Sequence, residues 1–191
     1  MSRPRNDSRR MALLDAATQV FAKHGLQAPT SLISKTARIS EGSLFTYFKT
    51  KEELVTALYL DLRVDLASAI TSNFPRRSSV RVRFEHVFRR YVTWGVAYEL
   101  KRKALRSITL SNLVTPAVRA QSSELFAEVD RLLADALQQR LMKDLPAGMS
   151  SQALKAIAEM TMDLIDRDPE RGDEYLSAGF QMLWGALARK P

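Results

Sequence analysis

The chain has 191 residues, 46% of them apolar, which is enough for a real core in one medium domain or in a small domain joined to a larger one. It contains no cysteine, which excludes a disulfide framework, a thiolate zinc site and a cysteine nucleophile, and fits a reducing, cytoplasmic setting. The net charge of +8 is uneven: residues 1–55 hold nine Lys or Arg against five Asp or Glu, residues 74–106 ten against two, and residues 107–191 nine against twelve.

A polyanion such as DNA is the natural partner of the basic N-terminal half, because neutralised phosphates release counterions. The N-terminal arginines precede an apolar stretch broken by Asp15, Thr18 and Gln19, so no signal peptide is expected, and no run reaches membrane-spanning length.

Apolar residues recur at spacings of three and four, and Gly and Pro number only seven each, so the pattern predicts an all-α chain of nine helices. The first runs from about Ser8 to His24, with Leu14, Ala17 and Phe21 on one stripe and Gly25 where a left-handed residue ends a helix. A short helix from Pro29 to Ala37 and another from Ser40 to about Tyr47 follow. Thr50 and Glu53 have capping-box spacing and open a fourth helix toward Asn73. Beyond the break at 73–79, helices are predicted at 80–98, 101–113, 116–143, 151–166 and 169–188. Thr115-Pro116 and Asp168-Pro169 are read as caps before a first-turn proline, and Ser150 as the cap of the eighth helix.

Residues 30–47 carry the functional signal. Two short helices joined by about three residues, the second rich in small polar side chains, suit a DNA major groove. Ile33, Ala37, Ile39 and Leu44 are placed to pack against Phe21 and Leu14, which turns Glu41, Ser43, Thr46 and Tyr47 outward. The hydroxyls of Ser43 and Thr46 can bond base edges or phosphates, Gly42 permits close approach, and Tyr47 can reach a phosphate. Lys49 and Lys51 would meet the flanking backbone, near the amides that open the fourth helix.

The run from Ala37 to Leu54, ARISEGSLFTYFKTKEEL, resembles the signature of the TetR family of repressors. The resemblance implies a helix-turn-helix head at 1–50 and a ligand-binding and dimerising body at 51–191, with the fourth helix (about 51–73) as connector. It implies that residues 41–47, including Leu44, form the groove segment and that Thr30, Ser31 and Lys51 touch phosphates. Arg38 departs from the glycine usual at the turn; a left-handed residue with a Cβ costs about 1 kcal/mol, so the expectation is a rearranged turn or a compensating phosphate contact by Arg38. Arg3 and Arg5 form either a minor-groove arm or a disordered one.

In the body, Phe84, Phe88, Tyr91, Trp94 and Tyr98 share one face of the fifth helix. They are either core or, given two Tyr and a Trp, the wall of a pocket for a flat aromatic or amphipathic ligand. Tyr59, Met160, Asp163 and Leu164 could complete such a pocket, with Asp163 either a solvated carboxylate or a counter-charge for a cation. The runs YVTWG (91–95), EMTMDL (159–164), RDPE (167–170) and EYL (174–176) are similar to the RamR-like, multidrug-responsive branch of the family, except that Leu164 replaces a phenylalanine. The resemblance implies a homodimer through the last two helices, a pseudo-palindromic operator, a small-molecule effector and control of efflux or stress genes. Neither cofactor nor metal is expected, and with only His24 and His86 the chain is not read as an enzyme.

Overall fold

The computed structural model describes residues 3–189, with side chains from Asp7 onward. Its helices are α1 (Arg3–His24), α2 (Thr30–Ala37), α3 (Glu41–Tyr47), α4 (Lys51–Thr71), α5 (Val80–Ala97), α6 (Glu99–Leu110), α7 (Pro116–Ser123), α8 (Ala127–Gln138), α9 (Met149–Arg167) and α10 (Gly172–Leu187). A 3-10 turn, Glu124–Phe126, joins α7 to α8, so the all-α fold has the nine expected helical stretches with one of them interrupted. Among the described residues the sole extended pairing is an isolated bridge between Met142 and Ala188. None of the described helices is long and apolar enough to cross a membrane.

α1 begins at Arg3, ahead of the expected Ser8, so Arg3 and Arg5 belong to a helical backbone; their side chains lie outside the described residues. Gly25 has φ 74° and its N–H closes on Phe21 at 3.1 Å, the expected left-handed stop. Thr50 and Glu53 form the expected cap, with Glu53 N–H donating to Thr50 Oγ1 at 3.1 Å and Lys49 N–H to Glu53 Oε2 at 2.8 Å. Thr115 caps α7 through Val118 N–H, with Pro116 in the first turn.

Three expectations are corrected. The predicted helix over 116–143 breaks after Ser123, where the hydroxyls of Ser122 and Ser123 both donate to Arg119 O, at 2.9 and 3.0 Å, in competition with the helix ladder. It then stops at Gln138, because Arg140 turns left-handed (φ 56°) and carries the chain to the end of α10, where Lys143 N–H donates to Leu187 O and Arg189 N–H to Leu141 O. Ser150 is not a cap, since Gly148 opens α9, and Asp168 holds the expected N-cap position before Pro169 of the 3-10 turn Pro169–Arg171 but its carboxylate caps no N–H and accepts the Tyr175 hydroxyl at 3.2 Å.

The helices group into two compact units. The first takes the chain up to Asp65 together with Tyr98–Glu124; its core includes Leu14, Phe21, Ile33, Leu44, Phe48, Leu54 and Leu58, each at most 1% exposed. The second takes Leu66–Ala97 and the described residues from Leu125, with Phe84, Phe88, Leu132, Met162, Phe180 and Leu183 at its centre. Burial of such side chains stabilises each unit by roughly 1.5–3 kcal/mol per residue before entropy is counted.

Four arginines of α5 and the segment before it are held within the second unit. Arg76 grips Glu128 through two bonds, at 2.8 and 2.6 Å; Arg83 meets Asp135 at 3.3 Å, Arg89 meets Glu85 at 2.8 Å, and Arg90 donates to Ala69 O at 2.8 Å. Of the ten cations in residues 74–106, Arg76, Arg83 and Arg89 are thus matched by carboxylates inside this unit, whereas Lys101, Arg102, Lys103 and Arg106 belong to the first unit.

Candidate DNA interface

α2 and α3 are joined at Arg38, which takes the left-handed conformation (φ 55°, ψ 39°). The turn is thus not rearranged. Arg38 N–H donates to Lys35 O at 3.2 Å and Ile39 N–H to Ser34 O at 3.0 Å, which closes α2 as a glycine would. The Cβ costs about 1 kcal/mol in this conformation, and the exposed Arg38 side chain stands at the turn. Ser40 then caps α3: its Oγ accepts Ser43 N–H at 3.3 Å and lies 2.8 Å from Ser43 Oγ.

Ile33 and Leu44 are both fully buried, as Leu14 and Phe21 of α1 are to within 1%, so α2 and α3 each give a side chain to the core of the head, and the Arg10 guanidinium lies 5.4 Å from the centre of the Phe48 ring just past α3. Leu44 is therefore a core residue, and its expected place among the groove contacts is withdrawn, because a fully buried side chain cannot meet a base edge. The outward face of α3 is Glu41, Gly42, Phe45 and Thr46, all exposed, while Ser43 and Tyr47 sit half-buried on its flanks. Phe45, 42% exposed, lies within the expected groove segment but is not among its expected outward side chains, because pattern alone gives no sign that an apolar ring points away from the core.

The remaining expected contacts are arranged around that face. Thr30 Oγ1 donates to Glu41 Oε1 at 3.0 Å and so ties the starts of α2 and α3 together. Ser31 is exposed one residue on, and Lys49 is exposed beyond α3. Thr46 Oγ1 donates to Gly42 O at 3.1 Å, which leaves its lone pairs free to accept from a base amino group. Lys51 Nζ donates to Ala28 O at 2.8 Å, which holds the start of α4 against the loop before α2 and leaves two ammonium donors for a phosphate.

The expected ligand residues do not come together in one unit. Tyr59 belongs to the first, 4% exposed, with its hydroxyl 3.1 Å from Ser122 Oγ. The others lie in the second. Phe88 (fully buried) and Trp94 (3% exposed) are core residues of α5, with Phe88 6.1 Å from Phe180 between ring centres. Tyr91 is half-buried, and its hydroxyl donates to Glu159 Oε1 of α9 at 3.5 Å. Asp163 and Leu164 are half-buried and Met160 is 40% exposed. Tyr98, expected on the α5 stripe, falls in the first unit with Lys101 Nζ 4.8 Å from its ring centre. A separate cleft of about 250 Å³ in the second unit is lined by Phe74, Leu132 and the ion-paired Arg76, Arg83, Glu128 and Asp135, with Arg131.

Residues 13–58, which include α2, α3 and the start of α4, match the family described as bacterial regulatory proteins, tetR family. Over 55 residues the chain is 38% identical to an uncharacterized HTH-type transcriptional regulator, YhgD, of Bacillus subtilis, a stretch covering 28% of this chain and 29% of that protein. The likeness in fold extends well beyond that stretch. A TetR family transcription regulator from Marinobacter aquaeolei VT8 superposes with a TM-score of 0.87 at 23% identity, covering 98% of this chain and all of that one. A putative regulator of the same family from Shewanella sp. PV-4 gives 0.86 at 24% identity, covering 95% and 99%. Two ligand complexes share the fold with a TM-score of 0.70: LfrR of Mycobacterium smegmatis with proflavine, at 18% identity over 96% of this chain and 99% of that one, and FadR of Bacillus subtilis with stearoyl-CoA, at 16% over 92% and 98%.

Proposed function

We propose that the protein is a ligand-responsive transcriptional repressor that binds a pseudo-palindromic operator as a homodimer. The observation that carries this reading is the α3 face: a capped helix held by Leu44, with its polar side open to solvent, in a head that matches the TetR family over residues 13–58. In that role residues 1–50 read the operator and residues 51–191 bind effector and partner. Thr30, Ser31, Arg38, Lys49 and Lys51 hold phosphates, and Glu41, Gly42, Ser43, Thr46 and Tyr47 meet the groove.

Dimerisation through α9 and α10 is supported by the surface they leave open. Met160 is 40% and Met182 54% exposed, and Ala178, Gly185 and Ala186 are exposed beside them. A two-fold dimer asks for half-sites about 34–36 Å apart, or a multiple of that. For the effector, the α5–α9 pairing offers the Tyr91 phenol with the carboxylates of Glu159 and Asp163, which suits an aromatic or amphipathic molecule, cationic ones included. Proflavine in LfrR and stearoyl-CoA in FadR illustrate how wide a range this fold takes. Efflux or stress genes are fitting targets for such a response. An effector that favours a dimer arrangement other than the DNA-bound one lowers operator affinity by linkage, typically through about 1–3 kcal/mol.

The role is one of binding, not catalysis. His86 Nε2 lies 3.0 Å from Ile70 O and its ring meets Phe74 edge-on at 5.5 Å, so that imidazole is a packing group, and His24 stands exposed at the end of α1. The test is a footprint on DNA flanking the protein's own gene. The wild type is expected to protect one defined site, and Tyr47→Ala to lose at least tenfold in affinity while melting as the wild type does. Uniform protection, or an unchanged affinity of the variant, refutes the reading.

A further inference from the structure

We infer that Phe45, on the exposed face of α3 that it shares with Gly42, reads the 5-methyl group of a thymine on the major-groove floor and so sets specificity at that base pair; the inference rests on the operator-binding reading above. Phe45 is 42% exposed on a helix whose one buried residue is Leu44. It shares the outward face with Glu41, Gly42 and Thr46, each exposed, and lies four and three residues from Glu41 and Gly42, the spacings that make helical neighbours. A phenyl ring has no donor or acceptor, so it can bond neither a phosphate nor a polar base edge. The thymine methyl is the apolar group that the major groove presents.

Gly42 points the same way. A glycine within a helix is less favourable than alanine, so its presence asks for a reason. Its φ is not in the positive range, and a Cβ built on it would have no atom within 4 Å. Neither backbone conformation nor packing inside the protein therefore calls for glycine. What the missing side chain leaves is open space on the exposed face that Gly42 shares with Phe45, where a base pair would approach. The head's excess of nine basic over five acidic residues in 1–55 draws a duplex to this side.

The experiment uses the full chain. Duplexes are first selected from a random pool, and each thymine of the enriched site is then exchanged for 2′-deoxyuridine, which removes only the methyl. For the wild type, uridine at one position in each half-site is expected to lower affinity about fourfold, the effect of one apolar carbon leaving contact. Phe45→Ala should bind the thymine and uridine duplexes alike, and Phe45→Leu should keep part of the discrimination. Gly42→Ala should melt at a higher temperature than the wild type yet lose tenfold or more in operator affinity. The inference is overturned if uridine is tolerated everywhere, if Phe45→Ala discriminates as the wild type does, or if Gly42→Ala binds normally. A Phe45→Ala variant that changes only its oligomeric state points to a protein partner on the ring and likewise overturns it. If the full chain enriches no sequence at all, the operator reading itself fails; an enriched but uridine-indifferent site removes only the role of Phe45.

Discussion

Gly179→Ala is a sharp test of how the second unit is packed. Gly179 is buried in α10, and a methyl there would run into Thr161 Oγ1 of α9 while standing 3.0 Å from Phe88 Cζ of α5 and 3.3 Å from Thr161 Cβ. None of these can easily give way. Thr161 is 1% exposed and its hydroxyl donates to Ile157 O at 2.7 Å; Phe88 is fully buried against Phe180. β-branched rotamers in helices are stiff, so α10 itself must shift. Overpacking of this kind costs about 1–3 kcal/mol, and the upper part of that range applies because an oxygen and a ring are both met. Replacing a helical glycine by alanine returns about 1 kcal/mol. The net loss is about 1–2 kcal/mol, or a melting temperature roughly 2–8 °C lower for a chain of this length. Thermal and urea unfolding followed by circular dichroism reads it. Adding Thr161→Ala in the Gly179→Ala background should recover 1 kcal/mol or more as a coupling in the double-mutant cycle. A Gly179→Ala protein more stable than the wild type, as an unpacked helical glycine would give, refutes the reasoning.

Arg38→Gly relieves the left-handed strain of about 1–2 kcal/mol but frees the unfolded chain by about 0.4–1 kcal/mol. A gain near 0.5 kcal/mol is expected in urea unfolding, and, where Arg38 holds a phosphate, the slope of log affinity against log salt should flatten by about one. Asp61 of α4 has its carboxyl pushed above the usual range, first by burial and, in lesser part, by Asp65 and Asp15, against the pull of Lys101 and Arg10. Its folded form binds a proton more readily than the unfolded chain does, so this group's contribution favours folding more as the pH falls through the window just above 3.8. Asp61→Asn should therefore raise the melting temperature at pH 7, with the difference shrinking below pH 4; a lower melting temperature at pH 7 would show the Lys101 attraction to be dominant.

The sequence by itself determined what is local and periodic. Apolar residues three and four apart made the nine helical stretches legible, and Gly25, Thr50 with Glu53, and Thr115-Pro116 placed several boundaries, because caps act within one turn of the chain. The helix-turn-helix could also be read, since its order of small, polar and apolar residues is contiguous over 37–54. Only the tertiary structure decided which side of so short a helix as α3 would face out. With Leu44 buried in the core, Ser43 and Tyr47 fall to the flanks and Phe45 faces solvent, an outcome that seven residues of pattern do not specify. It also decided that Arg38 holds a left-handed turn, that the serine hydroxyls at 122 and 123 break a helix whose period runs on, and that Arg76 and Arg83 meet carboxylates 52 residues away. Each of these depends on partners distant in sequence, or on a contest between side chain and backbone for the same carbonyl, and hydrophobic periodicity records neither.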